Sequence, residues 1–294
     1  MWIALAFASA VFAGLTNILA KVGIKNTDSS VATAVRTIVV LLFSWLMVLV
    51  VGLQKGMETV SFSTIDKKAW LFLILSGMAT GVSWLSLFKA LQLGDVNKVV
   101  PVDKSSIILT VILAFIIFNE EVTWLKGLAL LAIGSGTFLM IDKKKTAPDQ
   151  ADQPKSASWF FFALMAAVFA SLVSILGKMG MQGINSQLGT AIRTIVVLIM
   201  AWLVVLVQGK HGEVKKIGKK DLTFIVLSGF ATGGSWLCYY QALQDGPASA
   251  VVPIDKLSIV VAIAFSYFVL KEKISRKALG GLGLIVAGTL AMII

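Results

Sequence analysis

The segment "VFAGLTNILAKVGIKNTDSSVATAVRTIVVLLFSWLMVLVVG" at 11–52 returns at 168–209 as "VFASLVSILGKMGMQGINSQLGTAIRTIVVLIMAWLVVLVQG", matching at more than half its positions with a constant shift of 157. Farther on, "SGMATGVSWL" (76–85) pairs with "SGFATGGSWL" (228–237), and "VVPVDKSSI" (99–107) with "VVPIDKLSI" (251–259), at a shift of 152. The chain is therefore a duplication, and what one copy builds the other must build again.

What each copy builds follows from its apolar runs. Ten runs fall near 2–21, 31–53, 69–92, 99–118, 123–141, 159–179, 188–208, 222–243, 249–270 and 277–294, each near the ~17–25 residues a helix needs to cross the ~30 Å hydrocarbon core. They are continuous rather than alternating, and in lipid only helices or closed barrels satisfy the backbone. The expected fold is an all-α membrane protein of ten transmembrane helices in two five-helix repeats, 1–141 and 159–294. The polar stretch "DKKKTAPDQADQPKSAS" at 142–158 reads as the linker between them. Five is odd, so the second repeat enters the membrane inverted, the plan of many secondary transporters.

Composition agrees. Of 294 residues, 57% are hydrophobic and 14% charged, with a mean hydropathy of +0.90, whereas a soluble domain carries about 25% charged residues. The chain is expected to be an integral membrane protein, in the inner membrane of a prokaryote, with the first run a retained span. The net charge of +11 resides mostly in short loops, where Lys and Arg set topology, so no nucleic-acid partner is expected. One Cys and one His exclude an intramolecular disulfide and a Cys/His metal cluster; no metal or cofactor is expected.

The two five-helix units, the apolar helix introduced by Val-Val-Pro and closed by Glu120 in "FNEEV" or Glu272 in "LKEKI", and the Gly-rich last helices "AIGSGTFLM" and "IVAGTLAMI" resemble the EamA-like branch of the drug/metabolite transporter superfamily. The resemblance implies a ten-helix inverted-repeat carrier, usually an exporter of small metabolites or amino acids, and each half also looks like the stand-alone five-helix members that pair as antiparallel dimers. It implies cytoplasmic termini. The excess of Lys and Arg in the loops opposite the termini instead predicts, by the positive-inside rule, termini outside the cytoplasm.

Polar groups inside spans are costly and usually face a bundle interior. Asn17 and Lys21 share a face of the first helix, as do Ser174 and Lys178 of the sixth. Arg36 and Thr37 of the second helix recur as Arg193 and Thr194, and Thr80, Ser83 and Trp84 of the third as Thr232, Ser235 and Trp236. The halves diverge where Leu87, Phe88 and Lys89 become Tyr239, Tyr240 and Gln241. An asymmetric ligand would need such a difference, so Lys89, Tyr239, Tyr240 and Gln241 join the substrate-binding candidates, with Lys89 as a partner for a carboxylate or phosphate. Lysines near helix ends also snorkel, and Ser/Thr beside small residues also serve packing.

Asp103, Lys104, Asp255, Lys256, Glu120 and Glu272 are candidates for gating or coupling. Pro101 and Pro253 suit the first turn of a helix, which would put Asp103 and Asp255 there, favoured by the unpaired N–H groups and the dipole. If the preceding loops dip into the membrane, the two motifs become twofold-related charged clusters at the cavity mouths. In-span cations outnumber in-span acids, favouring an anionic or zwitterionic substrate.

The expected function is a secondary transporter, an exporter of small polar, amino-acid-like or carboxylated metabolites working by alternating access. Its partners would be a small-molecule substrate, the lipid bilayer and a coupling proton, and it would act as a monomer. A membrane enzyme or lipid-handling protein acting on a phosphate headgroup, and a non-transporting scaffold, are the alternatives.

Overall fold

A computed structural model describes residues 1–23, 27–93, 99, 102–140, 158–268 and 276–293. The helices are α1 (Trp2–Gly23), α2 (Ser29–Lys55), α3 (Lys67–Leu93), α4 (Ser106–Phe118), α5 (Trp124–Met140), α6 (Ser158–Met181), α7 (Ser186–Val207), α8 (Lys219–Asp245), α9 (Ala248–Lys256), α10 (Ser258–Phe268) and α11 (Arg276–Ala291). Six of these, α1, α2, α3, α6, α7 and α8, are each long and apolar enough to cross a membrane alone. α5 and α11 are shorter apolar helices. The remaining expected spans, the fourth and ninth, are broken.

The breaks fall at equivalent places. Ser105 donates its backbone N–H to Val102, three residues back, and Leu257 does the same to Ile254, so each helix tightens for one turn directly after its Asp-Lys pair. In α9 Pro253 lies inside the helix, where it lacks the N–H for the bond to the Ser249 carbonyl one turn back, and the helix ends at Lys256. The first-turn expectation is thus corrected for the second motif. α9 begins at Ala248, so Asp255 sits near its C-terminal end, about 10 Å along the axis at ~1.5 Å per residue. Pro101 lies outside the described residues.

The halves pack on each other through matching pairs: α1 against α8, α6 against α3, α2 against α7, α4 against α9, and α5 against α11. Local chemistry repeats as well. Asp28 caps α2 by accepting from Ser30 and Val31, and its counterpart Asn185 caps α7 by accepting from Gln187 and Leu188. Gly77 lies against the Arg193 carbonyl and Gly229 against the Arg36 carbonyl, each at 3.2 Å from where a Cβ would stand.

The two ends of the bundle show the inversion. At one end, here the terminal face, the start of α1 meets the ends of α6 and α8: Gly246 lies close against Trp2, and Lys178 reaches the Gly246 carbonyl. At the other, the linker face, Asp28 before α2 pairs with Lys210 after α7. α1 therefore starts where α6 ends, and the repeats run in opposite directions.

Candidate functional site

Among the described residues Arg193 is the largest fully buried side chain, at 1% exposure. Its Nε donates to Ser76 Oγ (2.9 Å) and its Nη2 to Thr80 Oγ1 (2.7 Å), both on α3 of the other half. The guanidinium carbon stands 5.1 Å from the Trp236 ring and 4.8 Å from the Tyr240 ring, favourable cation–π distances. Its Nη1 has no hydrogen-bond partner. Neutral hydroxyls and aromatic faces hold the charge, with no carboxylate paired to it among the described residues.

A second cluster continues from it. Tyr239 packs edge-on against Tyr240 and shares a 2.8 Å hydrogen bond with Ser174. Ser9 donates to Asp255 Oδ1 (2.6 Å) and lies 3.1 Å from Ser235 Oγ. Ser9 is absent from the sequence-derived candidates because its counterpart at the shift of 157 is Ala166. Its signal is an in-span hydroxyl present in one half alone.

The two Asp-Lys motifs stand just before α4 and at the end of α9, elements that pack on each other across the pseudo-twofold. Each lysine is about half exposed, 52% and 48%, at 3.9 and 4.0 Å from its own neighbouring aspartate. Adjacent residues point roughly 100° apart on a helix, so these are loose pairs that leave each ammonium open to another anion.

The terminal face is closed by a lock between the halves. Glu120, just past α4, accepts from Lys178 Nζ (3.3 Å) and from the backbone N–H groups of Ala248 (2.7 Å) and Ser249 (2.9 Å) at the start of α9. Lys178 also bonds the Gly246 carbonyl and lies over the Phe118 ring. Lys178 is 9% exposed, so it is locked rather than snorkelling. Nearby, Gln244 donates to the carbonyls of Met181 and Ile184.

Arg36 has a different setting from its sequence twin. It lines a cavity of about 240 Å³ in the linker-face half, with Ser30, Thr33, Trp84, Leu87, Ala201 and Val204. The equivalent hydroxyls, Ser228 and Thr232, donate to the Ile225 and Ser228 carbonyls, as Ser76 and Thr80 donate to those of Val173 and Ser76, but among the described residues they accept nothing from Arg36.

The other candidates divide. Thr37 and Thr194 are buried and donate to carbonyls one turn back on their own helices, and Ser83 donates to the Ala166 carbonyl across the repeat boundary; these contacts are packing. Gln241 bonds Asp245 on its own helix, while Lys89 and Asn17 are exposed. The Lys21 side chain and Glu272 lie outside what is described.

The sequence matches the EamA-like transporter family over residues 1–142 and 157–294. It is 41% identical over 137 residues to a Sinorhizobium protein described as an uncharacterized transporter in the cobO 3' region, a stretch covering 47% of this chain and 97% of that protein. An uncharacterized protein of Methanocaldococcus jannaschii is 29% identical over 130 residues, covering 44% of this chain and 91% of its own. Both relatives match lengths close to one half. A crystal structure superimposes with a TM-score of 0.75 at 17% identity, covering 98% of this chain and 95% of that one, a likeness of fold.

Proposed function

The chain belongs to the EamA-like transporter family and is an integral membrane transporter, and within that frame we propose a secondary carrier that exports a small polar, carboxylated or amino-acid-like metabolite by alternating access. The observation that carries the reading is one of unequal twins. Arg36 and Arg193 occupy equivalent positions, yet Arg193 is sealed under Trp236 and Tyr240 on the side locked by Glu120 and Lys178, while Arg36 faces a cavity toward the other side. Near-identical local sequences in a closed and an open setting are what two alternating gates require of an inverted repeat. The halves 1–141 and 159–294, joined by the linker 142–158, would rock one against the other, in the inner membrane of a prokaryote.

The half-exposed Lys104 and Lys256 support an anionic or zwitterionic cargo, since charges at such depth face water or a ligand rather than lipid. Asp255, held by Ser9, is the position at which a coupling proton would bind. Counterflow in proteoliposomes across amino acids, organic acids, sugars, nucleosides and organic phosphates tests the proposal. A carboxylated compound should exchange, and Lys104→Gln with Lys256→Gln should reduce its flux at least tenfold. Absence of flux from every class would overturn the carrier, and flux of sugars alone would overturn the anionic cargo.

A further inference from the structure

Arg36 is partly buried within α2 and has no hydrogen bond or ion pair among the described residues. A guanidinium inside a span with no partner is expensive and is normally paired. Arg193 shows how this fold holds the same group from within: two hydroxyls accept from it and two aromatic rings cover it. Arg36 has instead a cavity of about 240 Å³ in front of it.

The lining describes a ligand. Among the described residues, those around the cavity include no acid to neutralise the arginine and none to attract a cation. The planar fork of a guanidinium matches a carboxylate with two parallel hydrogen bonds. The Thr33 hydroxyl already donates to the Ser29 carbonyl, so toward a ligand it can accept, as an ammonium or hydroxyl group would require. Trp84, Leu87, Ala201 and Val204 form an apolar wall. The volume lies below the ~300–1,000 Å³ of drug-sized pockets, so the occupant is small.

We propose that Arg36 and its cavity form a carboxylate-binding subsite in the linker-face half of the molecule, taking small carboxylic acids and amino acids with the carboxylate on Arg36 and the apolar part against Trp84. The assignment rests on the carrier reading for its purpose, since the subsite would receive cargo on the open side.

The test is protection from thiol labelling in detergent-purified full-length protein. Cys238, the single native cysteine, is replaced by alanine, and Thr33→Cys is labelled with a polar maleimide in the presence of acetate, L-alanine or L-leucine, with choline chloride as the cationic control. At least one carboxylate should slow labelling threefold or more and choline should not; Arg36→Gln should abolish that protection, and Arg36→Lys should weaken it. Protection that is equal in Arg36→Gln, or absent for all three carboxylates, overturns the subsite. If Arg36→Gln does not survive purification, Arg36→Lys decides, because protection undiminished in that variant overturns the bidentate assignment. Flux without Arg36-dependent protection would keep the carrier and remove the subsite, whereas protection without flux would keep the subsite and remove the carrier.

Discussion

Asp28 does two jobs that its counterpart Asn185 divides differently. Both side chains accept backbone N–H bonds at a helix start, but Asp28 also pairs with Lys210 across the repeats. Burial pushes the Asp28 carboxyl up, yet donation from Lys210, Ser30 and Val31 outweighs it and holds the group below its ordinary 3.8. A lowered carboxyl contributes stability above its unfolded value and loses it as pH falls through the folded one. Asp28→Asn keeps the cap as Asn185 does, so at pH 7 it should cost about 1 kcal/mol or less, the worth of a partly exposed pair. Asp28→Ala loses the cap too, a further ~1 kcal/mol. Melting curves in detergent should show the gap between wild type and Asp28→Asn closing as pH drops below 3.8; a gap that persists there would remove the ion pair as its cause.

The short helix α9 depends on a residue 128 positions before its start. Glu120 supplies acceptors for the N–H groups of Ala248 and Ser249 and balances Lys178. The carboxylate also meets the positive end of the helix dipole there. Both charged side chains are nearly buried, at 11% and 10% exposure, where removing one partner strands the other at a cost of about 3 kcal/mol or more. Glu120→Ala should therefore lower stability by about that amount. Adding Lys178→Met to it should restore part of the loss, because the stranded ammonium is gone. Thermal denaturation of the single and double variants checks this, and a double variant no more stable than Glu120→Ala alone would dissolve the lock.

Across the whole molecule, the repeats also join through α5 and α11, where backbones approach closely. A Cβ at Gly136 would fall 2.5 Å from the Gly281 carbonyl oxygen, and one at Gly288 would fall 2.7 Å from that of Ala129. Small residues are the usual means of such packing in lipid. Gly280 and Gly283, on the same helix α11, have open space around them. Gly136→Ala should therefore destabilise the protein or lower its yield, while Gly280→Ala should be neutral or gain up to ~1 kcal/mol from helix propensity. Equal behaviour of the two in a detergent melt would show that the α5–α11 approach is not needed.

The sequence alone determined the membrane setting, the duplication and the inversion, because hydropathy, self-similarity and an odd helix count are local or arithmetic properties of the chain. It also put Arg36, Arg193, Trp236, Tyr239 and Asp255 among the candidates, since polar groups in apolar runs are visible without coordinates. Tertiary structure decided what no pattern carries: that Glu120 caps a helix of the other half, that Ser9 joins Asp255, that Asp255 lies near the end of a broken helix instead of in its first turn, and that Arg193 is sealed while Arg36 is open. The reason is physical. Two copies with nearly the same residues have nearly the same local preferences, so only the packing of one half on the other determines which arginine is held by its hydroxyls and which is left facing a cavity.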